Sequence, residues 1–200
     1  MGNIITADRL HQVLVELCDT IEEQKEYLSN LDGAIGDGDH GVNMAKCFRG
    51  VKVKLQECRA DNVGSVLSTV GMEVMNSVGG AMGALYGTLF IKMAGAAGQK
   101  KEIDLSDMKA MFEGALDGIL AIGKAQVGDK TLVDTLAPAV QALIEADSSG
   151  LPLAEAMERF DLAAKQGMES TRDLLAKVGR ASRLGERTIG HQDAGATSCY

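Results

Sequence analysis

The sequence predicts an all-α protein built as an up-and-down antiparallel barrel or bundle. Ala, Leu, Met and Gly are favoured over β-branched and aromatic residues, and Phe, Trp and Tyr together make up only 4% of the chain. Apolar residues recur at helical spacing, and prolines occur only at positions 138 and 152. A length of 200 residues and a hydrophobic share of 46% suit one buried core, so residues 1–200 are interpreted as a single domain.

The apolar spacing marks seven helices, separated by short polar or glycine-rich segments. They cover residues 8–28, about 41–60, 63–78, 85–93, 108–120, 136–144 and 153–178. Ser106 is expected to cap the fifth helix, and Pro138 is expected near the first turn of the sixth, where proline is tolerated. The polar segment 179–198 is either a frayed terminus or part of a site, because chain ends are often disordered but this one keeps a mixed charge pattern.

The stretch DGAIGDGDHGVNM at 32–44 combines carboxylates, glycines and one imidazole between two helical patterns. Carboxylate oxygens are hard ligands suited to Mg²⁺, Mn²⁺ or Ca²⁺, and the glycines at 36, 38 and 41 let the backbone turn sharply enough to aim several of them inward. The competing interpretation is an ordinary solvated Asp-Gly turn. The candidate metal ligands are Asp32, Asp37 and Asp39.

Three known motifs fail on this stretch. The spacing Gly36-x-Gly38-x-x-Gly41 matches the dinucleotide fingerprint, but a helix precedes it where a strand is required, and the neighbouring carboxylates would repel a pyrophosphate. An EF-hand starting at Asp37 would place Phe48 where a bidentate Glu belongs. The chain also contains no Walker sequence. The predicted helix N-terminus at 40–43 remains, and its free N–H groups are positioned to hold a phosphate beside the metals.

Loop order predicts that the unusual segments meet at one end of the molecule. Helices joined by short loops pack antiparallel, so alternate junctions lie at the same end of the bundle. The first, third, fifth and seventh junctions are the unusual ones, at 32–44, 79–83, 128–134 and 179–183. The glycines at 79–83 indicate either close helix packing or contact with a flat ligand. A metal and nucleotide site could be assembled where these junctions converge.

The composition excludes several classes of partner. A formal net charge of -8 argues against nucleic acid and against an anionic membrane, since both reward clustered Lys and Arg. The four cysteines form no C-x-x-C pair and are expected to be free thiols. No signal peptide opens the chain and no apolar run reaches the ~20 residues of a membrane span, so the expected location is the cytoplasm.

Five groups of motifs run nearly from end to end of the chain. They are LD at 31–32, IGDGDHG with NM at 35–44, GGA with LYGT at 79–88, GDKT with Asp134 at 128–134, and GRAS through GHQD and GATS at 179–198. Together they resemble the nucleotide-binding L subunit of dihydroxyacetone kinase. The resemblance implies about eight antiparallel helices with the nucleotide at one end.

The resemblance also implies a phosphotransferase subunit that binds ADP or ATP with two Mg²⁺ ions. The aspartates at 32, 37 and 39 would hold the metals, which bridge the phosphates, and no separate catalytic residue is implied. The implied nucleotide-binding residues are His40, Gly41, Val42, Asn43, Ala81, Met82, Gly123, Leu132, Arg180, Asp193, Ala194 and Gly195.

In this family a separate K subunit holds the keto sugar, so the chain alone is expected to be inactive. A phosphocarrier M subunit, a transcription regulator and a second copy of the chain are further partners that the resemblance leaves open. The sugar, dihydroxyacetone or a four-carbon relative, and the phosphate source, phosphoenolpyruvate or exchanging ATP, also stay open. The alternatives are a nucleotide-binding regulatory module and a domain like the nucleotide domain of fatty acid kinase.

The chain departs from the family pattern at three positions. Met82 stands where Ser is frequent, Ala84 where Pro is common, and Ala194 where Pro usually follows the aspartate. A Met in place of a small polar residue would reshape the nucleotide pocket, and the loss of two prolines would loosen both loops. The predicted metal ligands are unaffected.

Overall fold

The computed structural model describes residues 3–200 and confirms an all-α architecture. Within this range the chain forms nine α-helices and two short strands. The helices are α1 (Ala7–Glu23), α2 (Lys25–Ile35), α3 (His40–Glu57), α4 (Val63–Ser77), α5 (Gly80–Ala97), α6 (Leu105–Gly123), α7 (Leu132–Ser148), α8 (Leu153–Ser170) and α9 (Ala194–Cys199). The strands are β1 (Ile5–Thr6) and β2 (Glu102–Ile103), and 3₁₀ helices occupy Thr171–Asp173 and Ala181–Thr188. No helix in the described range combines the length and apolar character of a membrane span.

The helices form a ring around one apolar core. Packing runs in chain order from α3, which contacts both α1 and α2, through to α7, and α9 contacts both α7 and α2, so this short helix closes the ring. Helix α8 packs against α7 and also contacts α9. Side chains from successive helices fill the interior, including Leu55, Val66, Val70, Met111 and Leu143, each at most 1% exposed.

The first predicted helix is wrong in its extent. It is two helices separated at Gln24, and the second continues seven residues beyond the predicted end to Ile35. The continuation carries Ile35 into the interior, where this side chain is 4% exposed, and burial of that residue extends the helix past the polar residues before it. As a result Asp32 lies on the last turn of α2 and not in the following loop.

The seventh predicted helix is also too long, because α8 ends at Ser170. The Thr171 carbonyl accepts a hydrogen bond from the Lys130 ammonium, and the Thr171 hydroxyl donates to the Met168 carbonyl at 2.6 Å. These contacts occupy groups near the end of α8, and the chain becomes extended at Leu174. Leu175, predicted to face inward, is 40% exposed.

Two helix starts differ from the prediction. Asp104, not Ser106, caps α6, because Asp104 and Asp107 each accept the backbone N–H of the other in a reciprocal capping box. Thr131 caps α7 and places Pro138 in its second turn instead of its first. At this position proline cannot donate the helical hydrogen bond to the Asp134 carbonyl, and its ring lies beside Gly167 of α8.

The end of the ring formed by the N-termini of α1, α4 and α6 is held by backbone hydrogen bonds. Strands β1 and β2 pair antiparallel, with Ile5 opposite Ile103. Beside them, the Ala7 N–H donates to the Lys101 carbonyl and the Val63 N–H donates to the Lys100 carbonyl, both at 2.8 Å. We name this the laced end, and the opposite end carries the four unusual junctions.

Gly167 sets how closely α8 approaches α7. A Cβ atom at this position would overlap the Asp134 carbonyl oxygen of α7, whereas a Cβ atom at Gly114 of α6 would meet open space. We expect Gly167→Ala to lower the free energy of unfolding by about 1–3 kcal/mol, because the two helices must separate. Gly114→Ala should raise it by about 0.5–1 kcal/mol, since alanine favours the helix. Urea denaturation of both variants checks this, and equal effects would contradict the assigned packing.

Candidate functional site

A cavity of about 530 Å³ opens at the end opposite the laced end. All four unusual junctions line it, as the loop order predicted. The wall is formed by residues of the first, third, fifth and seventh junctions and of the C-terminal tail. They are Asp32, Asp37, Asp39, His40 and Asn43 from the first junction, Gly79 to Met82 from the third, Lys130 to Val133 from the fifth, Gly179 to Ala181 from the seventh, and Asp193 to Gly195 from the tail. Residues that are far apart in the sequence therefore surround one space.

Three carboxylates form a cluster at the edge of this cavity. One oxygen from each of Asp32, Asp37 and Asp39 lies within 4.8 Å of the others, in the part of the chain that the structure covers. Gly36 lets the chain turn closely past Asp32, because a Cβ there would overlap the Asp32 carboxylate and lie 2.9 Å from the Asp32 carbonyl oxygen. Gly38 adopts a φ of +76°, a backbone conformation that side chains rarely tolerate. Carboxylates gathered this closely can ligate a hard divalent cation.

Arg180 brings positive charge to the same cluster. Its guanidinium contacts the Asp37 carboxylate and lies 3.7 Å from an oxygen of Asp39. The guanidinium and both carboxylates are well exposed to solvent, so this pairing contributes little to stability. It does place a cation from the C-terminal tail directly across from the acidic junction.

The N-terminus of α3 faces the cavity beside the carboxylates. Its N-cap residue, Asp39, makes no side-chain capping hydrogen bond among residues 3–200, and the His40 N–H donates to the Asp32 carboxylate at 3.2 Å. Burial lowers the pKa of His40 despite the opposing effects of Asp32 and Asp39. Asn43 lies on the cavity wall, but Gly41 and Val42 are not among the lining residues.

The glycine at position 41 has a packing role. A Cβ there would overlap the Lys25 carbonyl oxygen of α2, so this glycine lets α2 and α3 approach closely. Val42 is 46% exposed and points away from the cavity lining. Of the sequence-predicted site residues, these two are the ones that the structure separates from the cavity wall.

The third junction, at 79–83, forms another part of the cavity wall. Helix α5 begins at Gly80, so Ala81 and Met82 lie in its first turn instead of in a loop. Gly80 has a φ of +71° and open space where a side chain would be, whereas a Cβ at Gly83 would overlap the Val78 carbonyl oxygen. Gly83 therefore permits a close approach to Val78, and contact of Gly80 with a flat ligand stays a prediction. The departures from the family pattern at Met82, Ala84 and Ala194 all line the cavity.

Lys130 is a residue that the sequence analysis did not select. It is 2% exposed and has a φ of +63°, unusual for a residue with a side chain. Its ammonium donates to the carbonyls of Thr171 and His191, which lie at the two ends of the segment between α8 and α9. Burial lowers the pKa of Lys130. In the sequence, the feature that could have indicated this role is a charged residue just before the apolar start of α7.

Asp193 also attaches the C-terminal tail to the residues at the end of α8. Its N–H donates to the Thr171 hydroxyl at 3.0 Å, and its carboxylate caps α9 by accepting the Ala196 N–H at 2.7 Å. Burial raises the pKa of Asp193 to about 6, against the opposing effects of that N–H and of Lys130. The segment from Asp193 to Gly195 is thereby held on the cavity wall.

Residues 34–200 match the family described as the DAK2 domain. The chain belongs to the DAK2 domain family. It is 42% identical over 180 residues to the ADP-binding subunit DhaL of the PEP-dependent dihydroxyacetone kinase of Escherichia coli. This alignment covers 90% of the present chain and 86% of that subunit. It is 38% identical over 190 residues to an ADP-binding subunit DhaL of Listeria innocua, with 94% and 88% covered.

The DAK2 domain also has the fold of a solved kinase. The crystal structure of the dihydroxyacetone kinase from C. freundii in complex with AMP-PNP and Mg²⁺ matches with a TM-score of 0.69 and 23% sequence identity. The match covers 94% of this chain and 32% of that one. The likeness confirms the helical architecture, and the present chain corresponds to about a third of that enzyme.

We expect Lys130→Met to destabilise this DAK2 domain by about 1–3 kcal/mol, because it leaves two carbonyl groups without their charged donor. The methionine keeps most of the side-chain volume. Lys165→Met, at an exposed site on α8, should change stability by less than about 0.5 kcal/mol. Urea denaturation measures both effects. Hydrogen exchange should also be faster at Gly190 and Asp193 in Lys130→Met, and unchanged exchange there would contradict the proposed attachment of the tail.

Proposed function

We propose that this chain is the nucleotide-binding subunit of a dihydroxyacetone-type kinase, which presents a Mg²⁺-bound nucleotide to a small keto sugar on a separate K subunit. The observation that carries the proposal is the cluster of three carboxylates beside the N-terminus of α3, at the edge of a ligand-sized cavity. The cavity volume falls within the roughly 300–1,000 Å³ that is typical of small-molecule sites. The ADP-binding subunits among its relatives support the same assignment.

The donor set suits magnesium. Mg²⁺ prefers oxygen ligands and usually combines one or two carboxylates with phosphate oxygens and water. Three neighbouring carboxylates exceed what one such ion takes, so we propose that Asp32, Asp37 and Asp39 hold two ions. The positive charge of the bound metal ions would also reduce the repulsion between a polyphosphate and this chain, whose formal net charge is -8.

We propose that the nucleotide phosphates lie at the N-terminus of α3. Backbone N–H groups and the positive helix dipole favour an anion at such a terminus. His40 and Asn43 would contact the phosphates by their side chains, and Gly41 and Val42 would contribute backbone N–H groups only. When the nucleotide binds, the Arg180 guanidinium would give up part of its contact with the aspartates and contact the phosphates instead.

We propose that the base and ribose occupy the remaining wall. The backbone and small side chain at Ala81, with Met82 beside it, would contact a flat ring, and Gly123 and Leu132 would line the other side. Asp193, Ala194 and Gly195 would close over the ligand from the tail. In this arrangement the unusual Met82 side chain adds apolar contact where other members often carry a hydroxyl.

This arrangement can support phosphoryl transfer without a nucleophilic side chain from this chain. Transfer of a phosphoryl group depends mainly on positioning and on neutralising charge. Bound metals would supply charge neutralisation at the phosphates. The residues of this chain would hold the phosphate chain in line with the helix terminus, and the K subunit would supply the sugar hydroxyl. The remaining two thirds of the solved kinase, outside the matched part, leave room for such a sugar site.

We propose further that ADP stays bound and is recharged by a phosphocarrier M subunit. The relatives carry the descriptions ADP-binding and PEP-dependent, which support a retained diphosphate over exchanging ATP.

We also propose a cytoplasmic location. The cysteines at 18, 47, 58 and 199 are free, as is usual in a reducing compartment.

The retained nucleotide can be tested directly. We expect protein purified in Mg²⁺ without added nucleotide to release near-stoichiometric ADP on denaturation, identified by ion-exchange chromatography. Asp37→Asn and EDTA treatment should each lower ADP affinity about tenfold or more, because the phosphates lose their metal. Asp61→Asn makes the same charge change in the α3–α4 junction at the laced end and should retain ADP. Affinity undiminished by EDTA would contradict the metal assignment.

Reconstitution tests the kinase assignment. We expect no sugar phosphorylation by this chain alone and activity when a dihydroxyacetone-binding K subunit and the phosphoryl donor system are added. Asp37→Asn should lower the reconstituted rate about 100-fold or more, because charge on the transferring group is no longer neutralised. A purely regulatory module would leave the rate of the complex unchanged by that substitution.

A further inference from the structure

The motifs LYGT at 85–88 and GATS at 195–198 each contain a hydroxyl-bearing residue, Tyr86 and Ser198 respectively, to which no role has been given above. Tyr86 of LYGT lies on α5 and is 6% exposed, and Ser198 of GATS lies on α9. Neither lines the cavity. The two side chains nevertheless meet inside the ring, although 112 positions separate them in the sequence.

Ser198 connects three parts of the molecule by hydrogen bonds. Its Oγ lies 2.6 Å from the Tyr86 hydroxyl and 2.8 Å from Nε2 of His40. The hydroxyls of Tyr86 and Ser198 both lie 3.2 Å from the Gly195 carbonyl oxygen, which can accept from either. The three side chains and this carbonyl form a network that we name the serine network.

The serine network joins the two halves of the cavity wall. His40 directly follows Asp39 and begins α3, the helix whose N-terminus faces the carboxylates. Gly195 belongs to the tail segment on the other side of the cavity. Ser198 and Tyr86 are thus the groups through which the imidazole side chain and the tail backbone are held at a fixed separation.

Packing alone does not account for the two hydroxyl groups. Phenylalanine and alanine would occupy nearly the same space, and burying a hydroxyl is unfavourable unless it finds a partner. Here the Tyr86 hydroxyl has two partners and the Ser198 hydroxyl has three, and together these partners include His40 and Gly195, one from each side of the cavity. This arrangement points to a requirement for orientation in addition to a requirement for volume.

We infer that Tyr86 and Ser198 are positioning residues for nucleotide binding. They hold the His40 ring and the Gly195 backbone in the arrangement that the ligand meets, without contacting the ligand themselves. The inference rests on the proposed function, because it assigns the effect of the serine network to nucleotide affinity. The partner atoms are defined by the protein alone, so the network itself can be examined without ligand.

Tyr86→Phe and Ser198→Ala test the inference. With Mg²⁺ present, each should raise the Kd for ADP about five- to tenfold, the effect of losing one hydrogen bond that orients a binding group. The double variant should be little weaker than either single one, because both act through the same network. Tyr27→Phe, at an exposed tyrosine of α2, and Ser148→Ala, at an exposed serine of α7, are matched controls and should bind ADP like the wild type.

Nitrogen-15 spectra of the histidine rings give a second measurement on the nucleotide-free protein. The chain has three histidines, at 11, 40 and 191. The ring signals of His40 should shift in Ser198→Ala and in Tyr86→Phe, while those of His11 and His191 stay unchanged. A purely structural role would lower stability without a selective change at His40.

The outcomes separate this inference from the proposed function. Wild-type protein that does not bind ADP would overturn the proposed function, while a selective shift of His40 would still support the network. Wild-type binding with unchanged Kd and unchanged His40 signals in both variants would overturn the inference alone. Additive losses in the double variant would also overturn it. If Ser198→Ala does not fold, Tyr86→Phe decides, since it keeps the buried ring.

Discussion

The cavity depends on the buried ammonium group of Lys130. The segment from 171 to 193 has only short 3₁₀ helices, so its backbone relies on side chains for many of its hydrogen bonds. Lys130 binds carbonyls near both ends of that segment, and the Thr188 hydroxyl accepts the Ala176 N–H within it. Arg180 reaches the carboxylates, and the residues from Asp193 to Gly195 line the same cavity, because the segment is held in this way.

The acidic cluster concentrates like charges that repel each other, and the surrounding structure offsets this locally. Arg180 contacts one carboxylate, the N–H of His40 donates to another, and the first turn of α3 directs its dipole toward them. The glycines at 36 and 38 allow the chain to bring these groups together. The ring of helices supplies the stability, so the rim can hold a cluster of like charges whose repulsion opposes folding.

Local patterns allowed much of this structure to be predicted, and contacts with distant parts of the chain explain the two wrong helix ends, at Ile35 and Ser170. The start of α3, the junctions and their convergence followed from apolar spacing and glycine positions, which act over a few residues. The end of α8 did not, because it depends on Lys130, 41 positions away from Thr171. The carboxylates were selected by residue type alone. Arg180 and the segment from Asp193 were predicted as site residues from the family resemblance and not from residue spacing. Neither the resemblance nor the spacing showed that Gly41 is a packing residue.

The two ends of the ring are held together by different kinds of bond. Main-chain pairing joins the laced end through β1, β2 and the hydrogen bonds of Ala7 and Val63, whereas side chains hold the end that carries the cavity. Local opening requires less free energy where fewer regular backbone hydrogen bonds must break, so we expect the cavity end to open more readily than the laced end. A molecule bound in the cavity would therefore add stability at the end where the protein is expected to have least of its own.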